Sequence, residues 1–455
     1  MFYDRTTVLP HPADVVVAWH ERPGALVRLT PPGLGSASGE GDEVTVRLGP
    51  ALLPSAIRPR WRLAHTRHEY AATSDEFIDV QVSGPMRRWS HRHEIHGAGE
   101  GRTEIRDRID LELPRGAGLG EGILRRRLDR LFDFRARQLR DDLAFHAATA
   151  ERPRLTVAIA GSSGLIGTQL VALLESGGHR VLRMVRRPVA GPGEIAWDPD
   201  AGRLDAADLA GVDAVVNLAG RPIATRFTPR ARDEILSSRT RSADLVARTI
   251  AAMPAGERPG TLVQASAIGF YGAERPGELL TESDPGGEDF LAEVTRSWQQ
   301  AAEPAEAAGV RVAHLRTGIV LSDGGGALLP QLPLFLLGVG GRLAPPEAVV
   351  SWITLDDMVR AYAHVLLTPS AAGPLNAVAP HPAQQSEFVR TLGRVLHRPA
   401  AVPVPAAGPT LLLGREATRE LIRADQRVDD ARLRSSGFRP AHPELEGALR
   451  HVLQR

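Results

Sequence analysis

The chain contains no lysine: all 55 of its basic residues are arginine. That removes the ammonium group that could lower the pKa of a neighbouring phenol. Cysteine is absent too, which excludes disulfides, thiolate metal sites, iron–sulfur clusters and thiol nucleophiles. Only four tyrosines occur, Tyr3, Tyr70, Tyr271 and Tyr362, so few phenols are available to move a proton. The formal net charge is +1, too small to recruit nucleic acid or an acidic membrane surface. Long hydrophobic runs are missing. The most apolar stretch, 327–341, holds Pro330 and Pro333 and is shorter than the roughly 20 residues of a membrane helix. The first residues lack the basic-then-apolar pattern of a secretion signal, and a cytoplasmic location is the expectation.

What is present describes a globular protein: 43% of residues are apolar and 24% charged. The length of 455 residues suits two or three domains. Residues 1–150 read as one of them. Runs with strand-like alternation, 43–48, 76–82 and 103–111, are separated by Gly, Pro and Asp turns. A long helix follows, in which Leu124, Leu128, Leu131, Phe132, Leu139 and Leu143 make an apolar stripe. The arginine runs 125–127 and 135–140 are read as its solvated face. This is an α+β pattern, an antiparallel sheet closed by a long helix.

From 154 to about 370 apolar strands alternate with helices. Strands are expected at 155–160, 180–185, 213–218, 261–266 and 311–316, and helices at 166–176, 231–252 and 289–308. That pattern predicts a doubly wound parallel α/β sheet. Asp356 and Asp357 are read as capping a helix that runs to Leu367. Residues 371–455 form a proline-rich, then helical, C-terminal subdomain that includes Pro403 and Pro405.

The first strand of the α/β region leads into Gly161-Ser162-Ser163-Gly164-Leu165-Ile166-Gly167 and then a helix. Glycines at these spacings let the backbone approach a pyrophosphate, which the helix N-terminus then binds. The second strand ends in Arg186 and Arg187, where an NAD site would carry an acid for the ribose 2′-hydroxyl. Guanidinium groups there suit a 2′-phosphate, so NADP is the expected cofactor. The third strand ends Asn217-Leu218-Ala219-Gly220, whose small residues leave room for the adenine ribose.

These pieces, with 265–272, 315–320 and 351–357, resemble the extended short-chain dehydrogenase/reductase superfamily. More narrowly, they resemble an atypical NAD(P)-dependent epimerase-like group with a C-terminal domain of unknown function. Residues 19–25, 29–32 and 89–93 resemble helix-grip domains of the START/polyketide-cyclase type. The resemblance implies a Rossmann-type domain preceded by a helix-grip domain that encloses a hydrophobic ligand. It places the carbonyl-polarising serine at Ser266. The superfamily's proton-donating tyrosine and its lysine fall at Phe290 and Val294, which can do neither job. Tyr271 is then the candidate hydroxyl at the substrate edge, and Arg239 the candidate positive charge.

Two functions stay open. One is an NADP(H)-dependent oxidoreductase or epimerase acting on an unknown small-molecule carbonyl or alcohol. The other is an NADPH-binding sensor without turnover. In the N-terminal region, His91 and His93 face the same side of a strand and could begin a metal site. No third ligand is fixed by spacing, and no metal is assigned.

Overall fold

The computed structural model describes residues 1–40, 43–49, 56–71, 74–114, 120–400 and 407–455. Pro403 and Pro405 lie outside them. The N-terminal region is one seven-stranded antiparallel sheet. From one edge it runs Phe2–Leu9, Thr103–Glu112, Arg88–Gly97, Ser74–Ser83, Arg60–Ala71, Glu43–Leu48 and Gly35–Glu40. Alternation explains its one-sided core: along Thr103–Glu112 every second residue, from Thr103 to Leu111, is buried. The helix Glu121–Ala148 lies on that face. Its Leu128 and Phe132 pack with Tyr3, Trp89 and Ile109, and its Leu139 and Leu143 with Leu9, Ile95 and Ile105.

The arginine run 135–140 is not uniformly solvated. Arg135 turns inward, its Nε donating to the Leu29 carbonyl at 3.1 Å and its guanidinium lying 5.3 Å from the Phe132 ring centre. Beside it, Phe134 stacks on His451 from the far end of the chain. The helix has two buried sides because a second domain covers the other one.

The eight-stranded sheet runs Arg203–Leu204, Glu194–Asp198, Arg180–Val185, Thr156–Ala160, Ala214–Asn217, Thr261–Ala267, Arg311–Thr317 and Gly373–Ala377. All pairings are parallel except that of the short edge strand Arg203–Leu204. Strand order reverses between Thr156–Ala160 and Ala214–Asn217, which creates a crevice at the carboxyl ends of the strands. The observed helices Leu165–Ser176 and Pro229–Ala252 follow the expected positions. The expected helix 289–308 is broken into Phe290–Gln300 and Glu303–Ala307. Asp289 starts the first by accepting from the Ala292 amide.

Two boundaries differ from the sequence reading. The parallel sheet takes its last strand from Gly373–Ala377, so the C-terminal segment begins inside the sheet rather than after it. The helix Leu355–Leu367 is capped by Thr354, whose Oγ1 accepts from the Asp357 amide at 3.0 Å. Asp356 and Asp357 are therefore free for longer-range contacts. Asp357 accepts from the backbone amides of Ala441 and His442, tying down the C-terminal segment.

Asp356 joins the two domains. Arg28 binds Asp142 through Nε at 2.8 Å and Asp356 through Nη2 at 2.7 Å, while Arg360 Nη2 binds Asp142 at 2.9 Å. Arg28, Asp142 and Arg360 are buried. Burial alone would raise the Asp356 carboxyl, but Arg28 and His451 hold it well below the usual range. A second tie is Asp323, which accepts from the Gly33 amide at 2.9 Å and from Gln454 at 2.8 Å.

Candidate functional site

The glycine loop sits at the strand-order reversal, where Thr156–Ala160 gives way to the helix Leu165–Ser176. Gly161 has φ +77°, and a Cβ there would lie 2.8 Å from the Leu218 carbonyl carbon. A Cβ on Gly167 would lie 2.2 Å from the Gly161 carbonyl oxygen. These two glycines let strand, turn and helix close on one another. Gly164 is different: a Cβ on it would meet only the Gly161 oxygen, at 3.3 Å. Ser163 and Gly164 are exposed at the helix N-terminus; the Gly164 amide closes the turn by donating to the Gly161 carbonyl at 3.0 Å, and the first-turn amides that follow it are left for a diphosphate. Leu165 and Ile166 are half-buried in the first helical turn and shape the loop from beneath.

Arg186 and Arg187, at the end of the next strand, are both exposed. Arg187 is engaged by Glu194 through two guanidinium nitrogens. Among the described residues Arg186 has no ion pair. Leu218, Ala219 and Gly220 line the same cavity as the loop. Asn217 was expected at the cofactor, but it is fully buried. Its Nδ2 donates to Gln264, and its Oδ1 accepts from the Ala219 amide at 3.1 Å. It sets the turn rather than touching a ligand. Ser238 also lines the cavity and accepts from the Arg221 amide. The sequence assigns it no role, because nothing in its own helix shows that it faces the glycine loop.

The expected catalytic groups are brought to the carboxyl ends of the strands, but not to the cavity wall. Ser266, Arg316 and Asn376 stand in one register row on three adjacent strands. Tyr271 donates to Asn376 Oδ1 at 2.8 Å and accepts from Arg316 Nη1 at 2.8 Å. This corrects the expectation of a free hydroxyl at the substrate edge. Tyr271 is wholly buried with both hydrogen-bonding functions engaged, and burial raises its pKa against the pull of Arg316. Ser266 is buried and its Oγ accepts from Gln299 Nε2 at 2.6 Å. Arg239 packs between Gly220 and the Trp298 ring, 5.0 Å from the ring centre. Burial lowers its pKa to about 10. Phe290 and Val294 sit in an apolar cluster with Ile235 and Leu291.

The cavity beside the loop is large, about 1860 Å³. It continues from Gly161–Gly164 and Arg186 into the N-terminal sheet, where Trp61, Phe77, Trp89 and Phe132 line it. Its inner wall is not wholly apolar. His65 Nδ1 lies 2.8 Å from Asp79 Oδ1, and His93 Nδ1 lies 2.6 Å from Asp107 Oδ1. Burial would lower the His93 pKa, but Asp107 and Asp79 raise it to about 9, while burial holds His91 down at about 4.

A glycine loop at the strand-order reversal of a parallel sheet, beside an open cleft, defines a dinucleotide-binding α/β protein. Residues 157–378 match the model of the NAD dependent epimerase/dehydratase family, and 404–452 match a domain of unknown function. An epimerase family protein of Mycobacterium bovis is 38% identical over 300 residues, which is 66% of this chain and 98% of that one. A human epimerase family protein is 34% identical over 304 residues, 66% of this chain and all of that one. The chain belongs to the NAD-dependent epimerase/dehydratase family.

Solved structures extend the likeness. A nucleoside-diphosphate sugar epimerase of Corynebacterium glutamicum superposes with TM-score 0.79 at 30% identity, covering 99% of this chain and 90% of that one. A human epimerase family protein solved with NADPH superposes with TM-score 0.60 at 32% identity, covering 66% of this chain and 99% of that one. Among the described residues no helix is long and apolar enough to cross a membrane.

Proposed function

We propose that the chain is an NADP(H)-dependent oxidoreductase or epimerase of atypical short-chain type, acting on a small-molecule carbonyl or alcohol. The observation that carries this is the glycine loop open to the cavity, with the exposed Arg186 beside it, which has no ion pair among the described residues. A guanidinium at that position suits a 2′-phosphate. The NADPH bound by the human relative points the same way. Ser266 Oγ accepts a hydrogen bond from Gln299 Nε2, which leaves its own hydroxyl proton to donate to a substrate oxygen. Arg239 supplies the positive charge that a lysine would otherwise bring. Tyr271 acts through Arg316 and Asn376 as a positioning residue. The N-terminal sheet and helix form a helix-grip domain. Its aromatic-lined half of the cavity takes a hydrophobic ligand and presents it toward the nicotinamide.

The test is deuterium transfer. NADPH labelled stereospecifically at C4 is incubated with the protein and a panel of apolar ketones and aldehydes. Label should appear on one product carbon from one C4 face only. Tight NADPH binding without transfer to any member would sink the enzyme reading. It would favour the second one, an NADPH sensor with the N-terminal domain as effector. The apolar surroundings of Phe290 and Val294, where the proton-transfer pair would stand, favour that alternative.

A further inference from the structure

The N-terminal cavity has charged groups where its fold calls for apolar ones. Strand alternation turns Trp89, His91, His93 and Ile95 to the inner face, and Trp89, His91 and Ile95 are buried there. Register then brings partners from neighbouring strands. Asp79 stands opposite His91 and beside His65, while Asp107 stands opposite His93. Two carboxylates and three imidazoles therefore share a few ångströms of cavity wall. Burying such groups is costly unless a cation or a closed hydrogen-bond network compensates them.

Their hydrogen bonds leave a defined opening. Asp107 Oδ1 is 3.1 Å from His91 Nε2 and 2.6 Å from His93 Nδ1, so one carboxylate engages one nitrogen of each ring. The other nitrogen of His93, Nε2, is left toward Asp79. His93 Nε2 is 3.6 Å from Asp79 Oδ2, a spacing suited to two ligands of one ion. Asp79 is itself oriented by His65, at 2.8 Å. One ligand atom from each of Asp79, His91 and His93 lies within 4.8 Å of the others. A carboxylate behind each histidine is the usual outer partner of a metal-binding imidazole, fixing its tautomer and ring orientation.

We infer that Asp79, His91 and His93 hold a divalent first-row transition cation of the zinc class in the cavity wall, with Asp107 and His65 as outer partners. Two imidazoles and a carboxylate suit that class, and three protein ligands leave a coordination position open. That position faces the cavity, where an oxygen of the bound ligand can take it. The assignment concerns the N-terminal wall alone and does not depend on hydride transfer at the glycine loop.

The test uses the full chain. Co2+ titrated into apo protein should give visible d–d bands that saturate at one ion per chain. The bands should be lost in Asp79→Asn and His93→Gln while NADPH affinity, which reports folding, stays within twofold of the parent. Absence of bands in the parent protein, or bands unchanged in both variants, overturns the proposal. Should either variant fail to fold, crystals of the parent grown with Zn2+ decide. An anomalous peak at the zinc edge between the three side chains supports the site; a peak elsewhere only, or none, overturns it.

Discussion

Arg186 and Arg187 are chain neighbours with different surroundings. Glu194 engages Arg187, whereas Arg186 has no such partner among the described residues. Arg186→Ala should therefore weaken NADPH binding at least tenfold, about 1.4 kcal/mol, and leave NADH binding unchanged. Arg187→Ala should cost less. Fluorescence titration with both nucleotides checks this; equal losses for NADPH and NADH would remove the 2′-phosphate contact. Asp323 makes a second prediction. Burial pushes its pKa up to about 7 from an ordinary 3.8. The folded state therefore keeps its proton to higher pH than the unfolded state does. Its contribution to stability is fully present below about pH 4 and is lost as pH rises through 7. Asp323→Asn should match the parent near pH 4 and melt at a higher temperature near pH 8. Melting curves whose difference does not change with pH would contradict the shift.

Elements show where the sequence was legible. Strand–loop–helix at 156–176 was readable because apolar strand, glycine spacing and helix follow one another locally. The sheet of the N-terminal region was readable only in part. Three runs announced themselves by alternation and 91–93 only by its His-Arg-His spacing, while Arg60–Ala71 carries histidine and arginine at positions where alternation calls for apolar residues. The pairing of Asp79 with His91 is a matter of register between strands, which no local pattern encodes. The strand Gly373–Ala377 escaped notice because it is short and contains Pro374. Tyr271 was legible as a residue near the site, but the hydrogen bonds to Arg316 and Asn376 that use its hydroxyl come from strands 45 and 105 positions away. At the glycine loop the element itself yields a prediction. Gly167→Ala drives a Cβ into backbone and should destabilise the fold by several kcal/mol, in the range of overpacked cores, about 1–3 or more. Gly164→Ala should leave the melting temperature nearly unchanged and instead block the approach of the diphosphate. Thermal melts paired with NADPH titration separate the two; a stable Gly167→Ala protein would show that the loop closes less tightly.

For the whole molecule the deciding contact is the buried cluster at the domain junction. Each domain contributes one arginine and one aspartate: Arg28 and Asp142 from the first, Asp356 and Arg360 from the second. Three ion pairs link them, and two of these cross the junction. Arg28→Met would leave Asp356 and Asp142 short of a partner, and removal of one member of such a cluster costs about 3–5 kcal/mol. Urea unfolding should show that loss, with the two domains no longer melting together. A single unshifted transition would mean the junction is held by packing alone. The alternation of signs has a further effect. Sliding one domain past the other by a few ångströms would set arginine against arginine and aspartate against aspartate. The junction therefore works as a keyed joint with one seating, not as a hinge. A ligand in the N-terminal half of the cavity would meet the nucleotide half at a fixed distance, without a closing stroke. Its passage would be governed by diffusion inside the cavity alone, with no domain motion to time it.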